Sequence, residues 1–96
     1  MADMDDTSWI ETNVEMVAYY LTQEFENFAL AYRADRPLTH TFIVDNGKKQ
    51  FQLIIEWQTL ADRNFTPTNI DLLVKGNVAG EMRLHGEGGY YWTPST

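Results

Sequence analysis

Residues 11–33 read ETNVEMVAYYLTQEFENFALAYR, and the fold turns on how this stretch is paired with the rest of the chain. Val14, Val17, Leu21, Phe25, Phe28 and Tyr32 recur at intervals of 3, 4, 4, 3 and 4, which places them on one face at 3.6 residues per turn. The spacing predicts a helix running to about Arg33. Two capping boxes compete for its start, Ser8 with Glu11 and Thr12 with Glu15, each offering a hydroxyl and a carboxylate to orphan backbone N–H groups. No Gly or Pro interrupts the stretch, and Arg33 near its end complements the helix dipole. On the same helix, Glu11, Glu15 and Glu26 fall on one flank of the apolar stripe with Thr22 among them, while Met16, Tyr20 and Leu30 point away from it.

Downstream, Asp35-Arg36-Pro37 ends the helix, because the residue before proline is pushed out of the α region. A hairpin follows. Thr39 to Val44 is rich in β-formers, Asp45-Asn46-Gly47 supplies a tight turn, and Gln50 to Gln58 returns. On the return strand Phe51, Leu53, Ile55 and Trp57 alternate with Gln50, Gln52, Glu56 and Gln58, as in a sheet covered by helix on one face. Residues 60–67 form a connection without periodicity.

The segment 67–84 supports two structures. As a hairpin, Ile70, Leu72 and Val74 lead through Gly76-Asn77 to Val78, Gly80, Met82 and Leu84, with Ala79, Glu81, Arg83 and His85 outward. As a helix, Thr66 is the N-cap, Pro67 the first helical residue and Gly76 the C-cap, with Ile70, Leu73 and Val74 inward. The period of 2 continuing beyond the turn favours the hairpin. Gly86 to Gly89 is a turn, and Tyr90-Tyr91-Trp92 adds a short edge strand.

The expected fold is therefore α+β in two layers, one long N-terminal helix packed on an antiparallel sheet of about four strands. Residues 1–6 are expected to be a mobile acidic tail and 7–96 a single domain, in keeping with 96 residues and 11.1 kDa. The helix-then-sheet order resembles the cystatin-like and compact chaperone-like two-layer folds. That likeness is one of topology, and topology does not dictate function.

Charge is unevenly distributed. Residues 1–32 hold seven acids and no Lys or Arg, whereas 33–96 hold seven of each, so the formal charge of −7 sits in the first third. Two readings are open: a solubilising surface, or an acidic face that attracts a basic partner or stands in for nucleic-acid phosphate. Direct binding of nucleic acid is not expected, since phosphate contacts need Lys and Arg. The acidic start and the lack of any long apolar run predict a soluble cytoplasmic protein with no membrane segment.

Motifs for catalysis are missing. With no cysteine, thiolate sites and disulfides are excluded. His40 and His85 stand alone in sequence, outside any metal-ligand spacing, and read as surface imidazoles at sheet ends. Ser8 and Ser95 lack a nucleophile context, and Gly86-Glu87-Gly88-Gly89 lacks the Lys and following helix of a phosphate loop. No enzyme, cofactor or metal is expected.

What remains is a small acidic binding module that occupies a basic surface on a larger protein, as an inhibitor, immunity-type or adaptor protein. Phage- or mobile-element-encoded inhibitors of nucleic-acid-binding host-defence complexes are of this kind. Glu11, Glu15, Glu24 and Glu26 would steer the encounter, and Tyr20, Tyr91 and Trp92 would anchor it. The alternatives are a self-associating subunit, paired through sheet edges or the Met16/Tyr20/Leu30 side, and a small-ligand carrier with its pocket between helix and sheet.

Overall fold

Phe25 closes the last turn of the N-terminal helix with an N–H···O bond to Leu21 of 2.8 Å, and two residues later Asn27 enters the left-handed region at φ 70°. Asparagine tolerates that conformation because its short amide bonds locally. The chain reverses there, so helix α1 spans Ala2–Glu24 and residues Ala29–Asp35 form strand β1. The computed structural model describes residues 2–35 and 38–94, with all their side chains except those of 2–8 and 67.

The expected helix to Arg33 is thus corrected: it stops nine residues earlier, and the starts at Ser8 and Thr12 both fall inside it. Its backbone extends through residues 2–6, where the sequence pointed to a tail. The Ser8 hydroxyl, the Asp3, Asp5 and Asp6 carboxylates, Ser95 and the Arg36-Pro37 stop lie outside the described residues.

The order continues with β2 (Thr39–Asp45), β3 (Gln50–Glu56), α2 (Trp57–Ala61), a 3-10 turn at Pro67–Asn69, α3 (Ile70–Lys75), α4 (Val78–His85), a second 3-10 turn at Gly86–Gly88, and β4 (Tyr90–Trp92). The hairpin turn forms as read: the Asp45 and Asn46 side chains accept backbone N–H groups from Gly47, Lys48 and Lys49, and Gly47 sits at φ 91°. β3 stops at Glu56 rather than Gln58, and Trp57 opens α2.

The fold is α+β, with a four-stranded sheet in the order β1-β2-β3-β4. One strand is not an expected one: β1 comes from the stretch read as helix. β4 is the short edge strand expected at Tyr90–Trp92, but it lies parallel to β3, with Leu53 opposite Tyr90 and Ile55 opposite Trp92, so the sheet is mixed rather than wholly antiparallel. The hairpin at 67–84 is overturned by two short helices. Thr66 donates its backbone N–H to Asn69 Oδ1 at 2.6 Å, Gly76 donates to Leu72, and Asn77 at φ 51° turns the chain into α4. Val78, Ala79 and Met82 are buried while Leu84 is 79% exposed, a helical pattern that no strand could produce.

Phe42, Val44, Phe51, Leu53, Ile55 and Trp92 face the helical layer and join Val17, Leu21, Leu60, Leu73, Val78 and Met82 in one buried cluster. Thr41, Ile43, Gln52, Ile54, Glu56 and Tyr91 alternate with them onto the open face of the sheet. Among the described residues no helix is long and apolar enough to cross a membrane.

Candidate interaction surface

The inner side of α1 is held at three points, and these determine which side faces out. Near its beginning Trp9 donates its indole N–H to Asp62 O at 3.0 Å, with the Arg63 guanidinium 5.5 Å from its ring. One turn on, Asn13 is fully buried and donates Nδ2 to both Leu60 O and Phe65 O at 2.9 Å, satisfying carbonyls that the α2 connection would otherwise leave unpaired. Further along, the Tyr20 hydroxyl accepts the Ala79 N–H at 3.0 Å, tying α1 to the first turn of α4.

Tyr20 is therefore a core residue, 4% exposed, and cannot anchor a partner as expected. Burial pushes its hydroxyl above the ordinary tyrosine value of 10.0, against the lowering pull of the Ala79 N–H. Trp92 is equally buried, packed edge-on against Phe65. Met16 is buried as well, and Leu30 has left the helix for β1, so the outward apolar side Met16/Tyr20/Leu30 does not exist. For Tyr20 the reason is the layer of short helices that the sequence did not announce, since α4 packs against α1 there; Leu30 is displaced because α1 ends at Glu24. Leu72, Lys75, Gly76, Tyr90 and Trp92 line a cleft of about 370 Å³, which lies beside α3 and β4 rather than between α1 and the sheet.

Among the described side chains of α1, Glu11, Glu15 and Tyr19 are exposed one turn apart, with Thr12 beside them and Thr22, Gln23 and Glu24 beyond. A spacing of four residues puts successive side chains about 6 Å apart along the axis. Tyr19 is 60% exposed and is the aromatic that sequence reading missed. Its signal was the spacing from Glu15; the apolar stripe through Val17, Leu21 and Phe25 is buried as read, and the buried arc extends beyond it to Asn13, Met16 and Tyr20. Thr22 turns its hydroxyl inward to Ala18 O at 2.6 Å. Glu26 is exposed but lies beyond the end of α1, so it does not share a helix flank with Glu11 and Glu15.

The C-terminus of α1 is complemented by Arg83 rather than Arg33. Its guanidinium donates to Glu24 O at 2.7 Å and lies 4.4 Å from the Phe25 ring centre. Arg33 is on β1, paired with Asp35 at 3.0 Å. Among the described residues, no ion pair engages Glu11, Glu15, Glu24 or Glu26.

Tyr91 is half-exposed on the open sheet face, away from the helical layer. Partial desolvation, then a hydrogen bond to Glu56 and that carboxylate's charge, raise its hydroxyl above the ordinary value. The expected anchors are thus not brought together: two are core, and the third lies on the open sheet face.

The histidines are also reassigned. His40 is fully buried, its ring stacked 4.2 Å from Trp57 at an interplanar angle of 9°, with the Tyr32 hydroxyl 2.7 Å from Nδ1. His85 ends α4, 4.0 Å from Glu81 and against the Tyr90 ring. Among the described residues no three His, Asp or Glu side chains gather as a metal site. No family model, curated protein or solved structure matches this chain.

Proposed function

We propose that this chain is a non-enzymatic protein-binding module, of the inhibitor, immunity-type or adaptor kind, that occupies a basic surface of a larger protein through the exposed side of α1. The observation carrying this reading is the row Glu11, Glu15 and Tyr19, two carboxylates and an aromatic ring one turn apart on a helix without a single Lys or Arg. The carboxylates raise the encounter rate with a basic patch, and the tyrosine contributes contact area at small entropic cost. Rigidity helps: Asn13 and Tyr20 fix the inner side of the helix, so the outer side is presented without reordering. A partner that binds nucleic acid would meet carboxylates where phosphates otherwise sit.

The test is capture of a basic protein on the immobilised chain at low salt. Capture should be released by a salt step, because the attraction is screened over about 10 Å at 0.1 M. It should be lost in the triple variant Glu11→Gln, Glu15→Gln, Tyr19→Ala, whose fold is checked by circular dichroism. Capture that survives the triple substitution, or resists salt, overturns the reading.

A further inference from the structure

β1 is the outer strand of the sheet and pairs with β2 over all seven of its residues without a bulge. Among the described residues no strand lies beyond it. Every second pair of its backbone N–H and C=O groups therefore points outward, a template for another strand. Long edges are usually blunted by proline, a bulge or an unpaired charge. β1 has none of these: its residues are Ala-Leu-Ala-Tyr-Arg-Ala-Asp, and Arg33 is neutralised by Asp35 on the same face at 3.0 Å. The opposite edge, β4, is only three residues long.

The helical layer also stops short of this edge. Leu30, Tyr32 and Ala34 stand opposite Val44, Phe42 and His40 and share their face. The β2 residues are fully buried, yet Tyr32 is 39% exposed, Ala34 is exposed and Leu30 is only half-buried.

We propose that β1 pairs with the β1 of a second copy, antiparallel about a two-fold axis at Tyr32, so that two four-stranded sheets become one. A second copy is the occupant that the edge itself selects. In this register all seven residues pair; Leu30 faces the small Ala34 of the other copy, and the two Tyr32 side chains meet at the axis, where the helical layer leaves them partly exposed. On the open face, Ala31 faces Arg33 and Ala29 faces Asp35 of the second copy, which leaves each Arg33–Asp35 pair intact over an alanine. The joined strands carry no net charge in a chain of −7, so the copies meet where like-charge repulsion is weak. The Glu11/Glu15/Tyr19 row belongs to a different element and takes no part in the pairing.

Light scattering on the full chain at increasing concentration tests this, read together with amide exchange at residues 29–35. The expected mass climbs to twice 11.1 kDa, and exchange along β1 slows in step. The register makes a sharper demand. Ala31→Lys sets a second cation opposite Arg33 at two symmetric places and should raise the dimer dissociation constant about tenfold, whereas Ala31→Glu should lower it. A chain that stays monomeric at every concentration overturns the proposal. So does a dimer indifferent to both substitutions, or protection of β1 seen only when a different protein is added.

Discussion

Residues 28–35 and 78–85 are entered alike and finish in different layers. Each follows an asparagine in the left-handed conformation, Asn27 at φ 70° and Asn77 at φ 51°. Each then carries apolar side chains at even intervals, Phe28, Leu30 and Tyr32 two apart in one, and Val78, Met82 and Leu84 four and two apart in the other, so that each contains a pair four apart. The first becomes an edge strand and the second a helix. A step of four fits both periods, being an even number for a strand and about one turn for a helix.

The difference lies in the neighbours. Residues 29–35 have β2 alongside, which pairs with them in unbroken register and places Phe42 5.1 Å from the Tyr32 ring. Residues 78–85 lie across from α1, where Ala79 is small enough for its N–H to reach the Tyr20 hydroxyl. Periods that the local sequence leaves degenerate are resolved by whichever neighbour offers matching backbone groups and space.

The strongest way to break this contrast is Ala79→Glu. A hairpin would turn residue 79 to solvent, but α4 buries it, so the variant should lose at least about 3 kcal/mol in denaturant unfolding. Leu84→Ala, which a hairpin would punish, should cost under about 0.5 kcal/mol because Leu84 faces water. Equal effects from the two would mean that 78–85 is not helical.

Tyr20→Phe probes the bond that draws α4 onto α1. Losing the hydroxyl leaves the Ala79 N–H without an acceptor, at a cost of about 1 to 2 kcal/mol. The hydroxyl also sets an alkaline limb. Its folded value lies above 10.0, so the folded state keeps a proton that the unfolded state releases first. The stability from this group is complete below pH 10 and is lost as pH rises through the folded value. Thermal melts across that range should fall steeply in the wild type and less steeply in Tyr20→Phe. Identical slopes would remove Tyr20 as the cause.

The smallest effect is expected at the entry to β1. Asn27→Ala forces a Cβ-bearing residue without a local bonding group into the left-handed region and should cost about 1 kcal/mol, while Asn27→Gly should be neutral or mildly stabilising. If alanine were as stable as glycine there, α1 would be running on toward Arg33.

Much of this molecule was legible in the chain. The β2–β3 hairpin, its Asp45-Asn46-Gly47 turn and the alternation of Phe51, Leu53 and Ile55 follow from period and turn chemistry that no neighbour needs to supply. The N-terminal helix and the alternation that places one face of β3 in the core were equally local. The acid-rich first third was plain from the charge count, although not which carboxylates share a face with which ring. Asn13 shows why: a polar residue beside an apolar stripe reads as surface until α2 and the connection after it bring the Leu60 and Phe65 carbonyls for it to bond. Tyr20 and Tyr19 are adjacent in sequence, and the arrival of α4 is what makes one a core residue and leaves the other exposed.

Sequence alone determined that an N-terminal helix forms, the hairpin, the α+β class and the acidity of α1, because each depends on residues within a few positions of one another. Tertiary structure decided where α1 ends, whether 70–85 is strand or helix, how β4 runs, and which tyrosine faces solvent. Those choices turn on contacts between segments as many as 59 residues apart, such as Tyr20 with Ala79 and Arg83 with Glu24, and no local period encodes them.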